Sequence, residues 1–243
     1  MLHAPWLRGN DAMDGKTRTT DAKPQAKTAR RAAPKGVSRL TTYATGKEIL
    51  ILGPSSAGKT KFAQYLRLGM LDQEGSREMT YQIKKSPAFV ISLGSDDGLR
   101  LKVRRAVDTP GQVGPVQHAT LVGRRRPHAV IVMLDCTRAV SASVRWLRLF
   151  CDRLDTVLRK GSYAHRKLSG VLVLLNKRDK ISDDKSDELR VSTQGVLNRY
   201  LSVVLGADRA SSVPIMECIS VRTPQGTALI DEVIGQLTER LGR

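Results

Sequence analysis

Eight consecutive residues, Gly53-Pro54-Ser55-Ser56-Ala57-Gly58-Lys59-Thr60, match the pattern G-x-x-x-x-G-K-[ST]. Together these residue types suit one chemistry, the cradling of a polyphosphate. The glycines let the backbone curl until successive N–H groups converge on phosphate oxygens at a helix N-terminus. The lysine brings a point charge to the β- and γ-phosphates, and the threonine hydroxyl serves as a ligand for Mg²⁺. Gly53, Ser55, Ser56, Ala57, Gly58, Lys59, Thr60 and Lys61 are therefore the expected phosphate-binding set, with Lys59 also acting on the transferred group. A Gly/Ser-rich turn can match the pattern by chance. Here an apolar strand precedes it and a helical-period segment follows, which is the context the pattern requires.

A second group, Asn176-Lys177-Arg178-Asp179, ends the apolar run Val171–Leu175. A carboxylate at Asp179 accepts from both the N1–H and the N2 amino group of guanine, a donor pair that adenine lacks. Asn176 suits the O6/N7 edge, and the stem of Lys177 suits the face of the ring. In isolation these residues read as a polar strand-to-helix loop. Downstream of a phosphate loop they point to GTP and GDP.

Both groups need a scaffold that brings strand ends together. Short apolar runs predict buried strands at Ile49–Leu52, Ala88–Leu93, Leu99–Val107, Ala129–Leu134, Gly170–Leu175 and Val213–Ile219. Helical periodicity marks Lys59–Leu71, Val140–Arg159, Lys185–Leu205 and Gly226–Leu241, most plainly in the stripe Val144, Leu147, Phe150, Leu154 and Leu158. Gly94-Ser95-Asp96-Asp97-Gly98 predicts a hairpin, making its two strands antiparallel. Strands otherwise alternate with helices. The expected fold class is thus α/β: a three-layer α/β/α P-loop NTPase fold with a six-stranded, mostly parallel sheet and one antiparallel strand.

In order and rough spacing, Gly53–Thr60, Asp108-Thr109-Pro110-Gly111-Gln112 and Asn176–Asp179 resemble the motifs of the Ras-like small GTPases, over residues 47–243. Bacterial Ras-like and Arf-like members without a lipid anchor are the nearest in character. The resemblance implies a molecular switch that binds GTP and hydrolyses it slowly with Mg²⁺, its state read by effector and regulator proteins. It further implies that Asp108 holds Mg²⁺ through water, that the Gly111 N–H touches the γ-phosphate, and that Gln112 orients the attacking water. Taken alone, Gln112 is also an ordinary surface glutamine. Cys218-Ile219-Ser220 resembles the last guanine loop of the family, with the Ile219 N–H meeting O6. The Mg²⁺-capping switch residue falls to Thr80 or Ser86, with Thr80 preferred, and residues 75–88 and 109–122 are the loops expected to follow the γ-phosphate.

Some positions depart from the family pattern. Ser55 stands where Ras has glycine and crowds the approach of an activator's arginine. With no arginine supplied in cis, slow intrinsic hydrolysis is expected. Leu2 replaces the glycine needed for myristoylation, and the terminal Leu-Gly-Arg is no prenylation box. Two other functions share these motifs: a GTP-loaded scaffold subunit that does not turn over, and a GTPase associated with RNA or the ribosome.

Composition narrows the setting. The chain has 243 residues, 40% of them hydrophobic, and 41 Lys/Arg against 23 Asp/Glu give +18. No apolar run approaches the roughly 20 residues of a membrane span. Cys136, Cys151 and Cys218 are widely spaced, with no C-x-x-C pair, and read as buried thiols of a reducing, cytoplasmic compartment. Residues 1–45 carry nine Lys/Arg and three Asp with no apolar periodicity, so they are expected to be a basic disordered tail before a nucleotide-binding domain at 46–243. The remaining basic residues are Arg100, Lys102 and Arg104, which start the third strand, Arg124-Arg125-Arg126 before the fourth, Arg159, Lys160, Arg166 and Lys167 before the fifth, and Arg240 and Arg243 at the end. In a parallel sheet these lie at the pole away from the nucleotide. They are either solvated surface charge or a peripheral contact with an anionic membrane or RNA, and with only Tyr163 among them base stacking is poorly served.

Overall fold

In β2 (Lys47–Leu52), Ile49 and Ile51 face one side of the sheet, Leu50 and Leu52 the other, and all four are fully buried. A strand buried on both faces belongs in the middle of a sheet with helices above and below it. The computed structural model, which describes residues 29–32, 44–69, 82–93, 100–160, 168–205, 213–218 and 224–242, has that architecture. Numbered in chain order, the strands run across the sheet as β1 (Ala29–Ala32), β4 (Phe89–Leu93), β5 (Arg100–Asp108), β2, β6 (Ala129–Asp135), β7 (Gly170–Asn176) and β8 (Ile215–Cys218). The five from β5 to β8 are parallel, whereas β4 is antiparallel to β5 with Phe89 opposite Val103 and Ser92 opposite Arg100.

Alternation repeats along β6, where Val130, Val132 and Leu134 join Leu50 and Leu52 while Ala129, Ile131 and Met133 join Ile49 and Ile51. The first set packs under α2 (Pro115–Arg125), α3 (Val140–Lys160) and α4 (Asp183–Leu205), through Val122, Phe150, Leu154 and Leu197. The second packs under α1 (Lys59–Leu68) and α5 (Pro224–Gly242), through Phe62, Leu66, Val233 and Leu237. Each fully buried side chain of this kind stabilises the fold by about 1.5–3 kcal/mol. The three cysteines are free and buried.

Three features differ from the sequence expectation. Among the described residues the sheet has eight strands, where six were expected. Lys84–Lys85 forms a short β3 antiparallel to the end of β5, and Ala29–Ala32 forms β1, antiparallel to β4, inside the segment expected to be wholly disordered. Pairing at an open edge uses backbone N–H and C=O groups, so it needs no apolar pattern and leaves none to read. Lastly, α2 occupies most of what was expected to be a loop at 109–122. Proline in its first turn and left-handed Arg126 (φ 50°), whose N–H returns to Val122 O at 2.8 Å, bound this helix. Its buried residues are His118, Ala119 and Val122, too few apolar positions to show a stripe. Gly123 explains how closely it lies on α3, because a Cβ there would sit 2.3 Å from Val157 Cγ1.

The register delivers the site. Asp108 is beside Ile51, while Asp135, Asn176 and Cys218 form one row across β6, β7 and β8, so the loops that follow open along a single edge of the sheet. At the opposite edge Arg124 and Arg126 are exposed, while Arg104 and Arg125 share Glu48 at 2.9 and 3.5 Å. Part of the expected basic pole is thus neutralised within the fold. Tyr163, Arg166, Lys167, Arg243 and the Gly94–Gly98 connection lie outside the described residues. Among the described residues no helix is long and apolar enough to cross a membrane.

Candidate functional site

The phosphate loop takes the conformation its glycines permit. Gly53 has φ 139°, and a Cβ there would meet Met133 O at 2.1 Å; Gly58 has φ 95°, and a Cβ there would meet Asn176 Nδ2 at 2.3 Å. Both values lie in the left-handed region that favours glycine. Ser56 shares that region at φ 64°. α1 starts directly at Lys59 with neither a side-chain cap nor an acid in its first turn. Its orphan N–H groups and positive dipole end therefore face the loop, an arrangement that favours an anion.

Lys59 is only 6% exposed and donates from Nζ to Pro54 O at 2.8 Å. Burial pushes its ammonium down to about 8, against the pull of Asp108 and with a further push from Arg138. The Thr60 hydroxyl donates to Asp108 Oδ2 at 2.7 Å, which joins the helix start to the end of β5. Two hard oxygen donors at that spacing fit Mg²⁺, which is usually held by one or two protein oxygens together with phosphate oxygens rather than by a protein cage. No cluster of three or more His, Cys, Asp or Glu able to hold a metal occurs among the described residues.

Gly111 closes onto the loop. A Cβ at this position would lie 2.4 Å from Ser55 Cα and 2.8 Å from Lys59 Nζ, so a side chain is excluded here. Gln112, next in sequence, is exposed. Ser86 is committed to the sheet: its Oγ donates to Pro87 O and accepts from Ala106 N, each at 2.9 Å. Thr80, Ile219 and Ser220 lie outside the described residues.

At the base end, Asn176 donates from Nδ2 to Ala57 O at 2.9 Å, tying this loop to the phosphate loop. Lys177 adopts φ 66° and its Nζ pairs with Asp135 Oδ2 at 2.6 Å. Asp135 also accepts at Oδ1 from the Thr137 N–H (3.0 Å) and hydroxyl (2.6 Å). Burial pushes the Asp135 carboxyl up, but the Lys177 and Thr137 hydrogen bonds outweigh it and hold the group below its usual range. Asp179 is exposed in the 3₁₀ turn Arg178–Lys180, leaving its carboxylate presented to solvent. The turn is braced by Arg178, which pairs with Asp183 and, at 3.3 Å, with Glu217 of β8. Cys218 is buried beside Asn176.

Three participants escape sequence reasoning. Asp135 is one, and its only signal was a carboxylate ending a buried strand. His118 is another: fully buried in α2, its Nε2 lies 3.2 Å from Pro110 O and 3.3 Å from Thr109 Oγ1. A carbonyl only accepts, so Nε2 carries the hydrogen. Burial drives its basicity down to about 4, opposed by the Pro110 hydrogen bond and aided by the nearby Lys59 charge. The third is Arg138, whose Nη2 donates to Ser55 O at 2.9 Å.

Comparison with known proteins shows the fold and no more. The crystal structure of bacterial selenocysteine-specific elongation factor EF-Sec superposes with a TM-score of 0.50 at 15% identity, over 81% of this chain and 28% of that one. Translation elongation factor SelB from Methanococcus maripaludis, solved in complex with the GTP analogue GppNHp, gives a TM-score of 0.47 at 15% identity, over 80% of this chain and 34% of that one. The chain therefore spans about a third or less of the length of these solved structures. No protein-family model matches it, and no curated protein does. The fold is a mostly parallel sheet between two helical layers, with the G-x-x-x-x-G-K-[ST] loop at the end of β2.

Proposed function

We propose that this chain is a guanine-nucleotide switch that binds GTP and GDP with Mg²⁺ and hydrolyses GTP slowly. One observation carries the reading: Asn176 Nδ2 on Ala57 O joins a phosphate loop and a guanine-type loop into one cradle, with Thr60 and Asp108 paired at its metal end. In that reading the backbone N–H groups at Ser56–Lys59 and the Lys59 ammonium hold the phosphates. Asp179 accepts from the guanine donors, with Lys177 kept in place by Asp135. Bound Mg²⁺ neutralises charge between the β- and γ-phosphates. Thr60 and Asp108 are the residues that hold it, with Thr80 as the proposed switch ligand. Gln112 orients water, and Cys218, Ile219 and Ser220 close the far side of the base.

The γ-phosphate is sensed through Gly111, whose segment leads into α2. Beside it lies a cavity of about 280 Å³ bordered by Ile83, Pro110, Val113, His118 and Leu121. With Ile83 and Val116 about 40% exposed, this is the surface offered to a partner protein that distinguishes the two states. The basic pole, through exposed Arg124, Arg126, Arg100 and Lys102, is a separate contact for an anionic surface.

The decisive measurement is equilibrium binding of fluorescent GTP, ATP and XTP to wild type and Asp179→Asn. GTP should bind at least about 100-fold tighter than ATP, and the variant should turn toward XTP, because a lost paired acceptor is heavily penalised. Equal competition by ATP would sink the guanine reading.

A further inference from the structure

We propose that Arg138 is a catalytic residue for GTP hydrolysis, an arginine supplied in cis from the turn between β6 and α3. The inference rests on the reading of the site as a GTP site and adds a participant that neither the motifs nor the comparisons assign.

Geometry carries it. Lys59 Nζ and Arg138 Nη2 donate to consecutive carbonyls of the phosphate loop, Pro54 O at 2.8 Å and Ser55 O at 2.9 Å. Ser55 is also where Gly111 makes its close approach, so the switch glycine, the lysine and the guanidinium converge on one stretch of loop. The turn bearing Arg138 is held firmly. Asp135 accepts twice from Thr137 and its carbonyl accepts from the Arg138 N–H at 3.2 Å, while Lys185 reaches Thr137 O at 3.4 Å. Asp135 simultaneously binds Lys177, so the arginine is indexed to the base loop as well as to the phosphate loop.

The chemistry favours a phosphate partner over a purely structural brace. Any neutral donor could brace Ser55 O. A second cation on the carbonyl next to the one Lys59 holds is instead unfavourable until an anion lies between the two. The guanidinium has five N–H donors. Its bond to Ser55 is the one side-chain hydrogen bond it makes among the described residues, which leaves donors for phosphoryl oxygens. In hydrolysis, a water oxygen bonds to the γ-phosphorus as the bond from phosphorus to the β–γ bridging oxygen breaks. That electron pair stays on the β-phosphate of GDP, and the water proton ends on the released phosphate. Arg138 donates to the bridging oxygen as its charge grows, a role worth far more in the transition state than in bound GTP.

The test uses the full chain with Mg²⁺: single-turnover GTP hydrolysis, equilibrium binding of fluorescent GTP and GDP, and formation of the GDP–aluminium fluoride complex. Arg138→Ala should slow hydrolysis on the order of 100-fold and abolish the aluminium fluoride complex, while GDP affinity stays within about threefold. Added guanidinium should restore part of the rate, and Arg138→Lys should fall between. Unchanged hydrolysis in Arg138→Ala overturns the proposal, as does equal weakening of GTP and GDP binding with the rate intact. A wild-type protein that binds GTP but neither turns over nor forms the fluoride complex overturns it too and leaves the nucleotide reading standing. If wild type fails to bind GTP, it is the underlying reading that falls.

Discussion

The two ends of the sheet use positive charge in opposite ways. At the carboxyl end three cations have fixed acceptors: Lys59 on Pro54 O, Arg138 on Ser55 O, Lys177 on Asp135. At the amino end the Lys102 and Arg124 side chains are exposed, and Glu48 takes up Arg104 and Arg125. Charge at the first end is a matter of position, with burial strengthening the Lys59 and Lys177 interactions and raising the cost of misplacing them. At the second it is a matter of number, screened within about a Debye length of 8–10 Å. The +18 of the whole chain thus adds together two quantities that behave differently.

Substitutions that preserve charge can break this contrast. The largest effect belongs to Lys59. Lys59→Ala should weaken GTP and GDP binding on the order of 100-fold by calorimetry, and Lys59→Arg should do nearly as badly. A Cβ on Gly111 would lie only 2.8 Å from Nζ, so this glycine backs closely onto the ammonium and leaves a planar fork no room. An arginine that binds normally would show the position to be less constrained than its packing implies.

Next comes pH. His118 is held near 4 in the fold against 6.5 for a free histidine, so the unfolded chain takes up the proton first. Its contribution to stability is present above about pH 6.5 and is lost as pH falls toward about 4, amounting to roughly 3 kcal/mol. Urea midpoints for wild type and His118→Gln between pH 7 and 4 isolate this slope from that of the carboxylates. The variant should lose most of the fall, and parallel curves would clear His118.

Asp135→Asn keeps the acceptor for Thr137 but removes the charge facing Lys177. It should cost about 1–3 kcal/mol and weaken GTP and GDP alike by about tenfold, seen in nucleotide release rates and in Tm. The smallest effect lies at the other end of the sheet. Arg124→Gln should reduce binding to anionic vesicles by about fivefold, near 1 kcal/mol, and Arg124→Lys should do nothing. Nucleotide affinity should be the same in both. A lysine that fails at position 124 would mean that this pole, too, reads geometry.

The legible parts of the sequence were those whose constraint is local. Glycines at fixed spacing, a strand of Ile and Leu, and an Asn-Lys-x-Asp group after a buried run each announce themselves within a dozen residues. The phosphate loop, the parallel order of the central strands and the antiparallel β4–β5 pair follow from them. What escaped is created by contacts between distant segments. Arg138 meets Ser55 across 83 positions and Asp135 meets Lys177 across 42. His118 reads as an odd polar residue until the fold buries it against Pro110. Strands β1 and β3 are held by backbone pairing, and α2 by a proline, a left-handed cap and a glycine contact. None of these has an apolar period to detect.

α2 has a mechanical consequence. As an 11-residue rod it is roughly 16 Å long, rooted beside Gly111 and Gln112 and ending in Arg124 and Arg125, so it spans the distance between the two ends of the sheet. At Gly123 it bears directly on Val157 with no side chain of its own as a cushion. Rolling the rod or sliding it would alike bring a residue with a Cβ against that valine. The glycine therefore indexes α2 on α3 in both rotation and height, so the helix moves only together with its neighbour.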